Sequence, residues 1–142
     1  MEVKRTERGW AGHFCLGYRC EYHRNTLLEY NGKKVVVSTV GRLQKDLLRP
    51  LYDEVGCDRH FETMAFLAKE NDKYNDADVS KEIVFDSNWS LPRLDMELEA
   101  EDMHEAVVKE ISERLVNNNL KIRDIFSWLL HIFNKKVLFL IS

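Results

Sequence analysis

The dipeptide Asn31-Gly32 lies between two stretches that each read as a β-strand, and it restricts the fold more than any other feature. Residues 20–30 place Cys20, Tyr22, Thr26, Leu28 and Tyr30 on one face, because successive side chains of a strand point to opposite sides. Residues 33–40 read KKVVVSTV, rich in the β-branched side chains that suit a pleated, half-buried surface. Asn and Gly both tolerate positive φ, so the pair predicts a two-residue type I′ turn and an antiparallel hairpin. The hairpin sets Arg24 on the otherwise apolar face of its strand, where a charge needs a partner.

The remaining periodicities extend this start. Residues 10–16 read as a preceding strand, and residues 43–48 as a short helix or loop stopped by Pro50. Residues 61–68 alternate Glu62, Met64 and Phe66 against Phe61, Thr63, Ala65 and Leu67; after a polar turn over 71–76, residues 78–85 return as a strand. A loop over 86–92 follows. Met103, Val107, Ile111 and Leu115, with Ala106 beside them, draw one apolar helical stripe. Asp102 and Glu105 suggest its cap, and Asn117-Asn118-Asn119 its end. Ile122, Ile125, Phe126, Leu129, Leu130 and Phe133 predict a second helix. Strands first and helices last predict one α+β domain over 1–142, strand-rich over 8–87 and helical over 101–141. The expected form is an antiparallel sheet of about four to five strands followed by C-terminal helices.

Composition narrows the function classes. The chain has 142 residues, 44% hydrophobic and 32% charged, which is globular rather than disordered. Lys+Arg 21 against Asp+Glu 24 gives −3, which disfavours a protein that coats nucleic acid. Residues 1–60 carry 11 basic and 8 acidic groups, residues 61–142 carry 10 and 16, so the halves are +3 and −6. Eight of those acids fall between Asp95 and Glu113, which opens a reading as an acidic inhibitor that binds a basic protein. Cys15, Cys20 and Cys57 are an odd set at spacings unlike a disulfide framework or zinc knuckle, so reduced thiols and a cytoplasmic setting are expected. Residues 1–9 are charged and lack the apolar core of a signal peptide. Residues 120–141 are apolar but interrupted by Lys121, Arg123, Asp124, His131, Lys135 and Lys136, which rules out an ordinary spanning helix. Their apolar side chains run nearly all round the expected helix, which predicts a homo-oligomer.

No P-loop, G-x-G-x-x-G, H-E-x-x-H or G-x-S-x-G is present, so no catalytic residue, metal or cofactor is assigned. The candidate ligand-binding set is Arg24, Arg42, Arg59 and Arg93 for phosphate, with Tyr22, Phe66 and Trp10, and also Phe61 and Trp89, available to stack a ring. An Arg24–Glu62 buried ion pair is the structural alternative. Asp76 and Asp78 point to one side of an extended chain; with Glu62 or Asp86 they could hold a divalent metal for a small hydrolase, or they form an Asx turn. The five histidines are scattered, His104 is expected to be solvated, and His13, Cys15 and Cys20 offer a zinc site as a lesser alternative.

The strings RGWAGHF (8–14), C-x3-R-N-T-L-L (Cys20–Leu28), VVVSTVG (35–41), ETMAF (62–66), DADVS (76–80), FDS (85–87) and DMHEAVVKEI (102–111) resemble a family of small uncharacterised phage and prophage proteins. In size and α+β kind the chain is also similar to the first Thoeris anti-defence family, sponges for a cyclic ADP-ribose isomer. That resemblance implies a phage protein acting in the cytoplasm of an infected bacterium. It would sequester a nucleotide-type immune signal, or block a host defence protein, without catalysis.

Overall fold

The computed structural model describes residues 2–46, 48–56 and 58–124. Its centre is the expected hairpin. Strand β2 (Cys20–Tyr30) and strand β3 (Lys33–Asp46) pair antiparallel in one unbroken register from Tyr22↔Gly41 to Tyr30↔Lys33. Asn31 and Gly32 have φ of 50° and 80°, the two left-handed residues a type I′ turn needs. A β-branched side chain is strongly disfavoured there. Gly32→Val should therefore lower stability by on the order of 1 kcal/mol, read as a fall in melting temperature, and an unchanged melt would contradict the turn.

The sheet is wider than the periodicity suggested. Among the described residues it has eight strands, in the order β1-β2-β3-β5-β6-β8, with β4 beside β3 and β7 beside β5. Strand β1 (Lys4–Arg8) pairs with β2; its sequence KRTER has too little apolar alternation to announce a strand. Strand β4 (Leu51–Asp53) folds back on the far end of β3, so residues 43–46 are strand and not helix. Strands β5 (Phe61–Ala68) and β6 (Ala77–Val84) form the second hairpin, and β7 (Ser90–Leu91) is a two-residue segment on β5. Residues 10–16 are not a strand. Phe14 takes φ 71° and the chain leaves the sheet edge to lay His13 over one face.

Helix α1 (Glu97–Val116) begins five residues before Asp102, with Met96 as its N-cap. Its first turn carries Glu97 and Glu99, which suit the positive end of the helix dipole. Ala100, Met103, His104, Val107, Val108, Ile111 and Leu115 form its buried stripe. Strand β8 (Lys121–Asp124) then pairs with β6, so the start of the expected second helix is an edge strand; the rest of that helix, and the predicted oligomer surface on it, lie outside the described residues. Among the described residues, no helix is long and apolar enough to cross a membrane.

The sheet has two covered faces. On one, Leu28, Val35, Val37, Ala65 and Ile83 pack against Val107, Val108, Ile111 and Leu115 of α1. Burial of each such side chain contributes about 1.5–3 kcal/mol. On the other, Leu27, Val36, Phe66 and Ala77 form a smaller cluster. Between the Val107 cluster and a second one, in which Ala100 and Met103 of α1 pack on Phe61 and Leu91, the helix-facing side is polar. His104 is fully buried there, not solvated as its place beside an expected helix cap suggested.

Candidate functional site

Beneath α1, Thr63 Oγ1 lies 2.6 Å from Thr39 Oγ1, Thr39 Oγ1 lies 2.7 Å from His104 Nδ1, and His104 Nε2 lies 2.7 Å from Thr26 Oγ1. Thr26 donates its one hydroxyl hydrogen to the Glu7 carboxylate at 2.9 Å. The direction of every other bond follows. Thr26 accepts from His104 Nε2–H, Nδ1 accepts from Thr39, and Thr39 accepts from Thr63. Burial, helped by the Arg24 charge, holds the imidazole neutral, with its pKa lowered to about 4.

Arg24 ends this polar layer. Its guanidinium meets Glu7 and Glu105, each at 3.1 Å, and also Glu101. Glu62 is on the opposite face, so the Arg24–Glu62 pair is replaced by pairing with three carboxylates from β1 and α1. Register is the cause: Arg24 stands opposite Thr39 and then Thr63, one position out of phase with Glu62. Tyr22 donates to Glu101 at 2.7 Å, and burial raises its hydroxyl well above the usual phenol range. The Glu105 carboxyl is lowered to about 2, chiefly by its hydrogen bonds from Arg5.

On the opposite face, His13 Nε2 donates to Glu62 at 2.9 Å, while Nδ1 lies 2.7 Å from Ser38 Oγ. The residue types are those of a serine–histidine–acid triad, but the geometry is structural. Ser38 is fully buried, and a Cβ on Gly12 would stand 2.7 Å from its Oγ, so main chain already fills the approach to the hydroxyl.

A cleft of about 420 Å³ opens on the far side of Glu62. Its origin is a split in the sheet. Strand β5 pairs with β6 at Ala65↔Ile83 and Phe66↔Glu82 but with β7 at Phe61↔Leu91 and Glu62↔Ser90, so β6 peels away and residues 85–89 cross the gap. Helix α1 pins that crossing: the Glu110 carboxylate accepts the amides of Asp86 and Ser87 at 2.8 Å each, and Arg114 bonds both Glu110 and Asp86 at 3.0 Å. Trp89 is thereby fixed on the cleft wall, 42% exposed. Opposite it, a tight turn (Val55 N to Arg59 O 2.9 Å) presents Arg59, whose guanidinium stacks over the Trp89 ring at 4.6 Å and pairs with Glu62 at 3.3 Å. Arg59 Nε is buried without a hydrogen-bond partner among the described residues. Arg123 of β8, exposed and opposite Glu82, lines the other side with Met64 and Val84.

Of the candidate ligand residues, Arg59 and Trp89 stand in this cleft. Arg42 pairs with Glu97, and Arg93 with Asp95 at 3.1 Å on the surface. Phe66 is buried against His13. Trp10 is covered by Arg8 at 5.0 Å and donates to Asp76 at 3.2 Å. Asp78 is held by the Ser80 hydroxyl at 2.6 Å, which lowers its carboxyl below the usual range. Among the described residues no three His, Cys, Asp or Glu side chains gather as metal ligands. Cys15 and Cys20 are free thiols. Sequence reasoning missed Arg123 and Glu82, since they come together only through the β6–β8 register. No family model, curated protein or solved structure matches the chain.

Proposed function

We propose that the chain is a non-catalytic binding protein that captures a small phosphate-bearing ring compound, a nucleotide-type signal, in the cleft between Arg59, Trp89 and Arg123. The observation that carries this reading is the Arg59–Trp89 pair. A guanidinium with an unmet donor lies against a half-exposed indole, offering a charge for phosphate and a face for a base. Glu62, itself bonded by His13, pairs with the guanidinium from behind, so it is placed before the ligand arrives. The role fits the sequestration of an immune signal that the phage resemblance implies.

Calorimetric titration with ADP-ribose, AMP and adenosine tests it. The two phosphorylated ligands should bind in the micromolar range and adenosine at least tenfold more weakly. Arg59→Ala and, separately, the surface change Arg123→Ala should each weaken AMP binding ten- to hundredfold, since a charge-assisted bond contributes about 1.5–3 kcal/mol. Bound ligand should return intact on denaturation. Equal affinity for AMP and adenosine, turnover of the ligand, or no heat up to millimolar concentration would overturn the proposal.

A further inference from the structure

A second cavity, of about 510 Å³, lies at the opposite end of the sheet from the β5–β7 split. Three connections meet there: the Asn31-Gly32 turn, the β5–β6 connection, and the link from α1 to β8. Asn71, Asn75 and Asn118 turn the chain at φ of 55°, 50° and 52°, which leaves their amides on the rim. The floor is aliphatic. Leu67 and Leu120 are outer members of the core under α1, and Ile122 beside them is 49% exposed. The rim is cationic, with Lys33, Lys34 and Lys69 against the single carboxylate of Glu70. Lys69 lies within coulombic reach of the Asp78 carboxylate, outside the rim, and the other two have weak partners. Lys33 donates to the Asn118 amide oxygen, and Lys34 reaches Asn75 at 3.3 Å and Glu29 at 3.8 Å.

Cations near the end of α1 would suit its dipole, but that end is already capped: the amides of Asn117, Asn118 and Asn119 bond the carbonyls of Glu113, Leu115 and Arg114. The lysines come instead from β3 and from the β5–β6 connection and line one space. That space lies within the roughly 300–1,000 Å³ of small-ligand sites.

We propose that this cavity binds an amphipathic anion, an aliphatic chain ending in a carboxylate. The chain lies on Leu67, Leu120 and Ile122, and the ammonium groups of Lys34 and Lys69 take the carboxylate. Among the described residues nothing aromatic lines the cavity and no arginine fork is present, so they offer neither the stacking nor the bidentate pairing that the Arg59 cleft offers a nucleotide. The two sites are chemically distinct and are tested separately.

The test is calorimetric titration of the full chain with hexanoate, octanoate and decanoate, each well below its micellar concentration, beside decanol and decyltrimethylammonium. Decanoate should bind, and affinity should rise roughly fourfold for each added methylene, the fold-change equivalent of about 0.8 kcal/mol. Decanol and the cationic amphiphile should bind at least tenfold more weakly. The double variant Lys34→Ala/Lys69→Ala removes two rim side chains outside the apolar core; it should melt as the parent does and lose at least tenfold in decanoate affinity. Ile122→Asp should abolish binding. The proposal fails if decanoate gives no heat at millimolar concentration, if chain length has no effect, if decanol binds as well as decanoate, or if a folded double variant binds like the parent. AMP binding should be unchanged in the double variant, which separates this site from the Arg59 cleft.

Discussion

Lowering the pH from 7 to 4 should cost the fold about 3 kcal/mol through one residue, His104. In the unfolded chain its imidazole takes up a proton near 6.5, whereas in the folded protein it does so only near 4. Above pH 6.5 neither state binds that proton, so the full stability is present. Between 6.5 and 4 the unfolded chain is protonated first, and acid draws the equilibrium towards it. The difference of about two and a half pH units corresponds to the energy stated, at 1.36 kcal/mol each. Burial is the main cause, and the local chemistry adds to it. A second hydrogen on Nδ1 would face the Thr39 hydroxyl, which now donates to that atom, so Thr39 and then Thr63 would have to reverse. Arg24 and Arg5 oppose the new charge; Glu7 and Glu105 favour it but do not reverse the shift. Urea midpoints at pH 7, 5.5 and 4.5 should fall steadily. His104→Leu should start less stable, with Thr26 and Thr39 left without their partner, and should show a nearly flat profile over the same range. A parent whose midpoint does not move across this range would refute the assignment. Below about pH 4.5 the Glu105 carboxylate adds a second loss that continues to about 2, small because that group is half-exposed.

Gly41→Val should disrupt the sheet more than any surface change. Gly41 stands between Tyr22 on β2 and Phe61 on β5. The fully buried Phe61 ring lies directly on it, so a Cβ at position 41 would meet Phe61 Cδ1 at 2.0 Å and Cγ at 2.6 Å. Phe61 has no free direction to yield, since Tyr22 meets it edge-on at 5.9 Å and Leu91, Ala100 and Met103 enclose the rest. Overpacking of this kind costs about 1–3 kcal/mol where the core can shift and more where it cannot. Gly41→Ala should therefore lose on the order of 2 kcal/mol, and Gly41→Val should fail to give soluble folded protein at 37 °C. A denaturant midpoint for Gly41→Ala within about 0.5 kcal/mol of the parent would show that Phe61 is not confined as described.

Both hairpins and the stripe on α1 were legible because each depends on a period of two or of 3.6 within a few residues. The turn at Asn31-Gly32 needed only backbone sterics. Strand β1 was not legible, since KRTER becomes a strand only by pairing with β2. His104 was misread from its neighbour Asp102, yet it stands four residues from both Ala100 and Val108 on the buried stripe, and the helical period alone would have turned it inward. Arg59 and Trp89 were both visible as a cation and a ring. Their contact was not, because thirty positions separate them and only the split between β6 and β7 brings them together. Arg24 shows the limit of face assignment: a strand's period says which side a charge is on, but which acid meets it depends on how a helix seventy-seven residues away is seated.

The ordered chain from Thr63 to Glu7 has a consequence for how α1 finds its place. A helix resting only on valine, isoleucine and leucine can slide or rotate by a turn and meet much the same surface, because one methyl group resembles another. A donor–acceptor sequence does not allow that. Only one seating gives Thr39 a nitrogen to donate to and Thr26 a hydrogen to accept, and any other buries hydroxyls facing hydrocarbon at about 1–3 kcal/mol each. The polar band at His104 thus works as a key, and the apolar clusters on either side of it as the grip that holds it once turned.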